Sequence, residues 1–188
     1  MATLNSEEET IFNTLKERYG LNGQVANILA RDRKLLGFFN ETVEELNAPI
    51  TIANLVTNEV AKELKEKEID ELKFSPKEIA QLSKMVDDEV ISNKIAKQVY
   101  EEMVKSGEKP LSIVENRDLK QISSPKTLLP IIYKVISNHP KNLERYRCGN
   151  DRLFGFFVGE VLKATDGKAN PKVVSELMKK SLESNRDM

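Results

Sequence analysis

Tryptophan is absent from this chain of 188 residues, and cysteine and histidine occur once each, as Cys148 and His139. A single thiol rules out an internal disulfide, and one thiol with one imidazole cannot build a Cys/His metal cluster. Sparse cysteine fits a reducing compartment, and the cytoplasm is the expected location. No apolar run approaches the roughly 18 residues that a membrane-spanning helix needs. The start, Met1-Ala2-Thr3-Leu4-Asn5-Ser6-Glu7-Glu8-Glu9, is polar and acidic and lacks the basic and apolar regions of a secretory leader. HExxH, GxSxG and CxxC motifs are missing, so metalloprotease, serine-hydrolase and dithiol chemistry is not expected. His139, next to Pro140, reads as a surface or capping residue rather than a general base. Cys148, just before Gly149, reads as a small buried hydrophobe. No catalytic residue, metal or cofactor is expected.

What is present describes a packed chain with a well-solvated surface: 39% hydrophobic and 31% charged residues. The net charge is only -1, but it is unevenly spread. Residues 109–188 hold 15 Lys and Arg against 9 Asp and Glu, a surplus of +6. Residues 1–108 hold 14 against 21, a deficit of -7. Ordinary variation in surface charge produces such splits, and so does a polyanionic partner for the second half.

The punctuation is that of successive helices. Ser6-Glu7-Glu8-Glu9 fits a capping box, Gly20 a helix stop, and Ser75-Pro76-Lys77-Glu78 a second capping box with proline at the first helical position. Short helices are predicted around 24–30 and 34–46. A longer amphipathic face runs through Ile52, Leu55, Val56, Val60 and Leu64. Ser92 is placed to cap the helix of Ile95, Val99 and Met103. Ser124-Pro125, His139-Pro140 and Asn170-Pro171 open three more helices. No segment alternates with period two, so the predicted fold class is all-α. The charge-dense stretch 65–73 suggests two small helical subdomains, 1–73 and 74–188.

The richest segment is Arg145–Pro171. Phe154, Phe157, Val158, Val161 and Leu162 form a core face. Gly155 and Gly159, four apart on the same helix, each cost about 1 kcal/mol of helix propensity relative to alanine. Close approach of a neighbouring helix is the ordinary reason to keep them, and a phosphodiester backbone is the sharper alternative. The turn Thr165-Asp166-Gly167-Lys168-Ala169-Asn170-Pro171 carries a lysine and leads into a helix start, whose free amides favour anions. Lys163 and Lys172 flank it. Arg145, Arg147 and Arg152 surround Tyr146, a combination suited to phosphate and to base or ribose stacking. The turn is no P-loop: no Ser or Thr follows the lysine and no strand precedes it.

Gly155-Phe156-Phe157-Val158-Gly159-Glu160-Val161-Leu162-Lys163-Ala164-Thr165-Asp166-Gly167-Lys168-Ala169-Asn170-Pro171 resembles the C-terminal signature of the GatB/YqeY tail domain. That domain ends the B subunit of tRNA-dependent amidotransferases and is appended to some bacterial glutaminyl-tRNA synthetases. The likeness extends upstream through Arg18-Tyr19-Gly20-Leu21, Phe38-Phe39, Ile91-Ser92-Asn93-Lys94-Ile95-Ala96-Lys97, Gln121-Ile122-Ser123 and Asn138 to Tyr146. It implies two helical subdomains that hold tRNA near its outer corner, by the D-loop, with catalysis in other domains. The implied partners are tRNA-Gln or tRNA-Asn and the parent enzyme's domains or amidotransferase subunits, with no membrane. The expected RNA-contacting residues are Arg145, Arg147, Arg152, Lys163, Gly167, Lys168, Asn170 and Lys172. Two positions depart from the family pattern: Glu160 replaces its usual glutamine, and Asn150 its usual lysine. The rival expectation, from a different class, is a helical protein-docking domain without RNA contact.

Overall fold

The computed structural model describes residues 3–184. Every regular element among them is helical; the one exception to helix and loop is an isolated parallel bridge between Ile122 and Ala169. The all-α expectation holds. The chain forms two compact units, Met1–Asp88 with Ala96–Asp118, and Glu89–Ile95 with Leu119–Met188.

The first unit contains α1 (Ser6–Tyr19), α2 (Gly23–Arg31), α3 (Arg33–Glu45), α4 (Pro49–Leu55), α5 (Ala61–Glu63), α6 (Pro76–Asp87) and α8 (Pro110–Asn116), together with most of α7 (Asn93–Ser106). Between α4 and α5 the helix widens into a π-helical turn, Val56–Val60, which keeps Val56 and Val60 buried. The cap of α1 lies one residue earlier than expected. Asn5, not Ser6, is the N-cap: its Oδ1 accepts from the Glu8 amide at 2.8 Å, and the Glu8 carboxylate accepts from the Asn5 amide at 3.1 Å. Asparagine is as good a cap as serine, and the whole box shifts with it. The Ser75 box is present: the Glu78 carboxylate accepts from the Ser75 amide at 2.8 Å and from its hydroxyl.

The unit boundary drawn from the charged stretch 65–73 is not the one the packing makes. Phe74, 7% exposed, stacks edge-on between Phe38 and Tyr100, with ring centroids 6.2 and 5.4 Å apart. α6 then packs on α3 and α4, burying Ile79, Leu82 and Met85. The charged stretch is a solvated connection tied down by Lys34–Glu68 and by Lys73 donating to the Lys105 carbonyl at 2.6 Å. Charge density there reports solvent exposure rather than the end of a core.

The second unit is built from α9 (Pro125–Asn138), α10 (Pro140–Arg147), α11 (Leu153–Ala164) and α12 (Pro171–Ser184). α9, α11 and α12 pack on one another around Leu128, Ile132, Phe157, Val161, Val174 and Met178. Each of these residues is buried, and each recurs at helical spacing along its element. Segment 89–95 belongs to this unit. The Gln121 amide donates to the Val90 carbonyl at 2.6 Å, and Ser92 caps the start of α7 by accepting from the Ile95 amide at 3.2 Å.

Candidate nucleic-acid interface

α11 is apolar on one side and bare on the other. Phe157 and Val161 point into the core, whereas Gly155, Gly159 and Lys163, four residues apart in turn, are exposed. Arg152, three residues before Gly155, lies in the same line and is also exposed. A Cβ built on Gly155 or Gly159 meets no atom within 4 Å. The ordinary expectation for these glycines, a neighbouring helix in close contact, is therefore wrong. Their propensity cost is not offset by packing among the described residues, and a strip of helix backbone is left open.

The eight expected contact residues divide between the two ends of this strip. Arg145 and Arg147 end α10, and the turn through Gly149 brings the chain to Arg152 at the start of α11. Lys163 closes α11, and Gly167, Lys168, Asn170 and Lys172 follow it. The groups are separated by the length of α11, about 17 Å at 1.5 Å per residue. Among the described residues, Arg145, Arg147, Arg152, Lys163 and Lys168 make no ion pair; Lys172 approaches Glu89 at 4.0 Å. In the first unit, Arg33, Lys62, Lys67, Lys84 and Arg117 each meet a carboxylate within 3.6 Å. Counted over the packed units, the second holds 14 Lys and Arg against 8 Asp and Glu, and the first 15 against 22.

The turn after α11 is rigid. Gly167 is in the left-handed region at φ 78°, its amide donates to the Leu162 carbonyl at 2.8 Å, and its carbonyl accepts from the Ser92 hydroxyl at 3.1 Å. The Lys94 side chain lies over it, its Cδ 2.9 Å from where a Cβ would stand. Ile122 clamps the other side, donating to the Lys168 carbonyl at 2.7 Å and accepting from the Asn170 amide at 2.8 Å. Asn170 is 4% exposed. Its Oδ1 accepts from the amides of Lys172 at 3.0 Å and Val173 at 3.4 Å, and its carbonyl accepts from Val174 at 3.0 Å. The start of α12 therefore has no open amides for an anion, contrary to expectation. Asn170 holds the turn, and Lys168 supplies its charge.

Sequence reasoning missed Lys94, brought over Gly167 by the fold, and Lys134 and Asn138, which share a cleft with Lys163. One further reading is corrected. Cys148 is exposed, because α10 ends before it and its turn lies outside the core. His139 stands at the N-cap position of α10, as the sequence suggested, half-buried and edge-on to Phe156 at 5.0 Å, with Nε2 3.8 Å from a Glu160 carboxylate oxygen. Tyr146 is half-buried. No group of three or more His, Cys, Asp or Glu able to hold a metal exists among the described residues, and none of their helices is long and apolar enough to cross a membrane.

Two helical units, one acidic and one carrying a bare helix face between unpaired cations, define the class: a two-part helical module. The GatB domain family, GatB/YqeY, matches residues 37–182, and the chain belongs to it. Similar proteins carry the name of the B subunit of aspartyl/glutamyl-tRNA(Asn/Gln) amidotransferase. The one from Thermoanaerobacter sp. (strain X514) is 40% identical over 166 residues, 87% of this chain and 35% of that protein. The one from Persephonella marina is 41% identical over 160 residues, 84% and 34%. That from Rickettsia rickettsii (strain Sheila Smith) is 38% identical over 170 residues, 89% and 35%. The chain spans about a third of the length of these curated relatives.

Proposed function

We propose that this chain is a non-catalytic tRNA-binding domain whose second unit grips the sugar-phosphate backbone near the outer corner of tRNA. It does so on behalf of a parent tRNA-dependent amidotransferase or glutaminyl-tRNA synthetase. The observation that carries this reading is the open glycine strip of α11 between Arg145, Arg147 and Arg152 at one end and Lys163 and Lys168 at the other. Bare helix backbone permits close approach of a strand, and cations at both ends hold its phosphates. Contacts of this kind read shape and charge rather than sequence. The names of the relatives, which specify tRNA-linked amidotransfer, support the same partner class. A protein helix is the other occupant such a strip accepts, but five unpaired cations favour a polyanion.

The test is binding of total tRNA at two salt concentrations. Lys163→Glu with Lys168→Glu is expected to weaken binding of all tRNAs about equally and to reduce the salt slope by roughly two units, one per phosphate contact. Lys65→Glu, in the acidic unit, is the control and should change little. A helical double variant that binds like wild type at low salt would sink the assignment of this face.

A further inference from the structure

Beside the glycine strip, α9 and α11 enclose a cleft of about 500 Å³. It is lined by the apolar Ile131, Val135 and Ala164 and by the polar Lys134, Asn138, His139, Glu160 and Lys163. Such a mixture suits a planar heterocycle attached to a phosphate: apolar side chains for the ring face, hydrogen-bonding groups for its edge, and two ammonium groups for the phosphates. Glu160 decides which heterocycle. Its side chain is 31% exposed, sheltered yet reachable, and the His139 Nε2 lies 3.8 Å from its carboxylate, beyond hydrogen-bond length. The Asn138 side chain makes no hydrogen bond among the described residues.

We propose that this cleft holds an unstacked guanine from an RNA loop, an inference that rests on the RNA-binding reading above. A carboxylate has two acceptor oxygens side by side and no donor. Guanine presents two adjacent donors, N1–H and the N2 amino group, and so pairs with it in bidentate fashion. Adenine and cytosine offer one amino group beside an acceptor nitrogen, and the single N3–H of uracil is flanked by two carbonyl oxygens that a carboxylate repels. Asn138 supplies an amide N–H for O6. A glutamine in its place would combine one donor with one acceptor and lose this match.

The experiment uses the full chain and two hairpin RNAs that differ at one loop position, guanine in one and inosine in the other. Inosine keeps N1–H and O6 and lacks only the N2 amino group. Wild type should bind the guanine hairpin roughly tenfold more tightly, in the range for one bidentate base contact. Glu160→Gln should bring the two within twofold while melting like wild type. Equal binding of both hairpins by wild type, with normal salt dependence, overturns the guanine site and leaves the RNA reading intact. So does discrimination that survives in Glu160→Gln. Failure of wild type to bind either hairpin or total tRNA overturns both.

Discussion

Replacing Gly155 and Gly159 together by alanine should stabilise the protein and weaken its binding to tRNA. Both glycines lie inside α11 with ordinary helical backbone, and neither Cβ would meet an atom within 4 Å. The methyl groups therefore add no clash, and each alanine recovers about 1 kcal/mol of helix propensity. The double variant should gain about 2 kcal/mol, or roughly 4–8 °C in Tm for a chain of this size. The same two methyls stand where a phosphodiester backbone would lie against the helix. Losing that approach should lower tRNA affinity about five- to tenfold, equivalent to roughly 1–1.4 kcal/mol. Thermal unfolding followed by circular dichroism and tRNA binding at two salt concentrations measure the two effects independently. A lower Tm would mean that another part of the protein packs on the strip. A higher Tm with unchanged affinity would mean that the RNA lies elsewhere.

Two predictions concern the first unit. The Tyr100 hydroxyl is buried without a hydrogen-bond partner among the described residues, while its ring stacks on Phe74. Leaving a buried hydroxyl unsatisfied costs about 1–3 kcal/mol; Tyr100→Phe should therefore leave stability unchanged or raise it by about 1 kcal/mol in urea unfolding, and a clear loss would reveal a partner for the hydroxyl. Burial acts to raise the Glu78 pKa, but hydrogen bonds from the Ser75 hydroxyl and amide and from its own amide, with the charge of Lys109, outweigh it and hold the group below its ordinary value of 4.5. A carboxylate with a depressed folded-state pKa stabilises the fold above its unfolded pKa and loses that contribution as pH falls through the folded value. Glu78→Gln should therefore cost about 1 kcal/mol at neutral pH, a typical cap contribution, and the gap to wild type should close on acidification below pH 4.5. A gap independent of pH would refute the assignment.

Local chemistry made much of this protein legible in its sequence. Pro76, Pro125, Pro140 and Pro171 each open a helix where predicted, because proline's fixed φ and missing N–H suit the first helical position. Gly20 ends α1 in the left-handed conformation that its missing side chain allows. The apolar spacing of α9, α11 and α12 marked the residues that form the second unit's core. These features depend on a few neighbouring residues, so the order of residue types carries them. The Gly155–Pro171 segment was legible for the same reason, as a contiguous string that resembles a family to which the chain belongs.

The rest depends on residues far apart in the chain. Whether Gly155 and Gly159 face a helix or open space is settled by what packs beside α11, and nothing on that helix encodes it. Glu89, Ser92 and Lys94 join the turn at Gly167 from about 75 residues upstream, through single hydrogen bonds and contacts that leave no periodic trace. The place of Phe74 between Phe38 and Tyr100 moved a boundary that local charge had suggested. Asn170 looked like an exposed helix start, yet it is buried because Ile122 covers its turn, so its side chain rather than a ligand satisfies the amides of α12. Hydrophobic burial is non-directional: the residue types determine that a face will be covered, and only the tertiary arrangement decides by what.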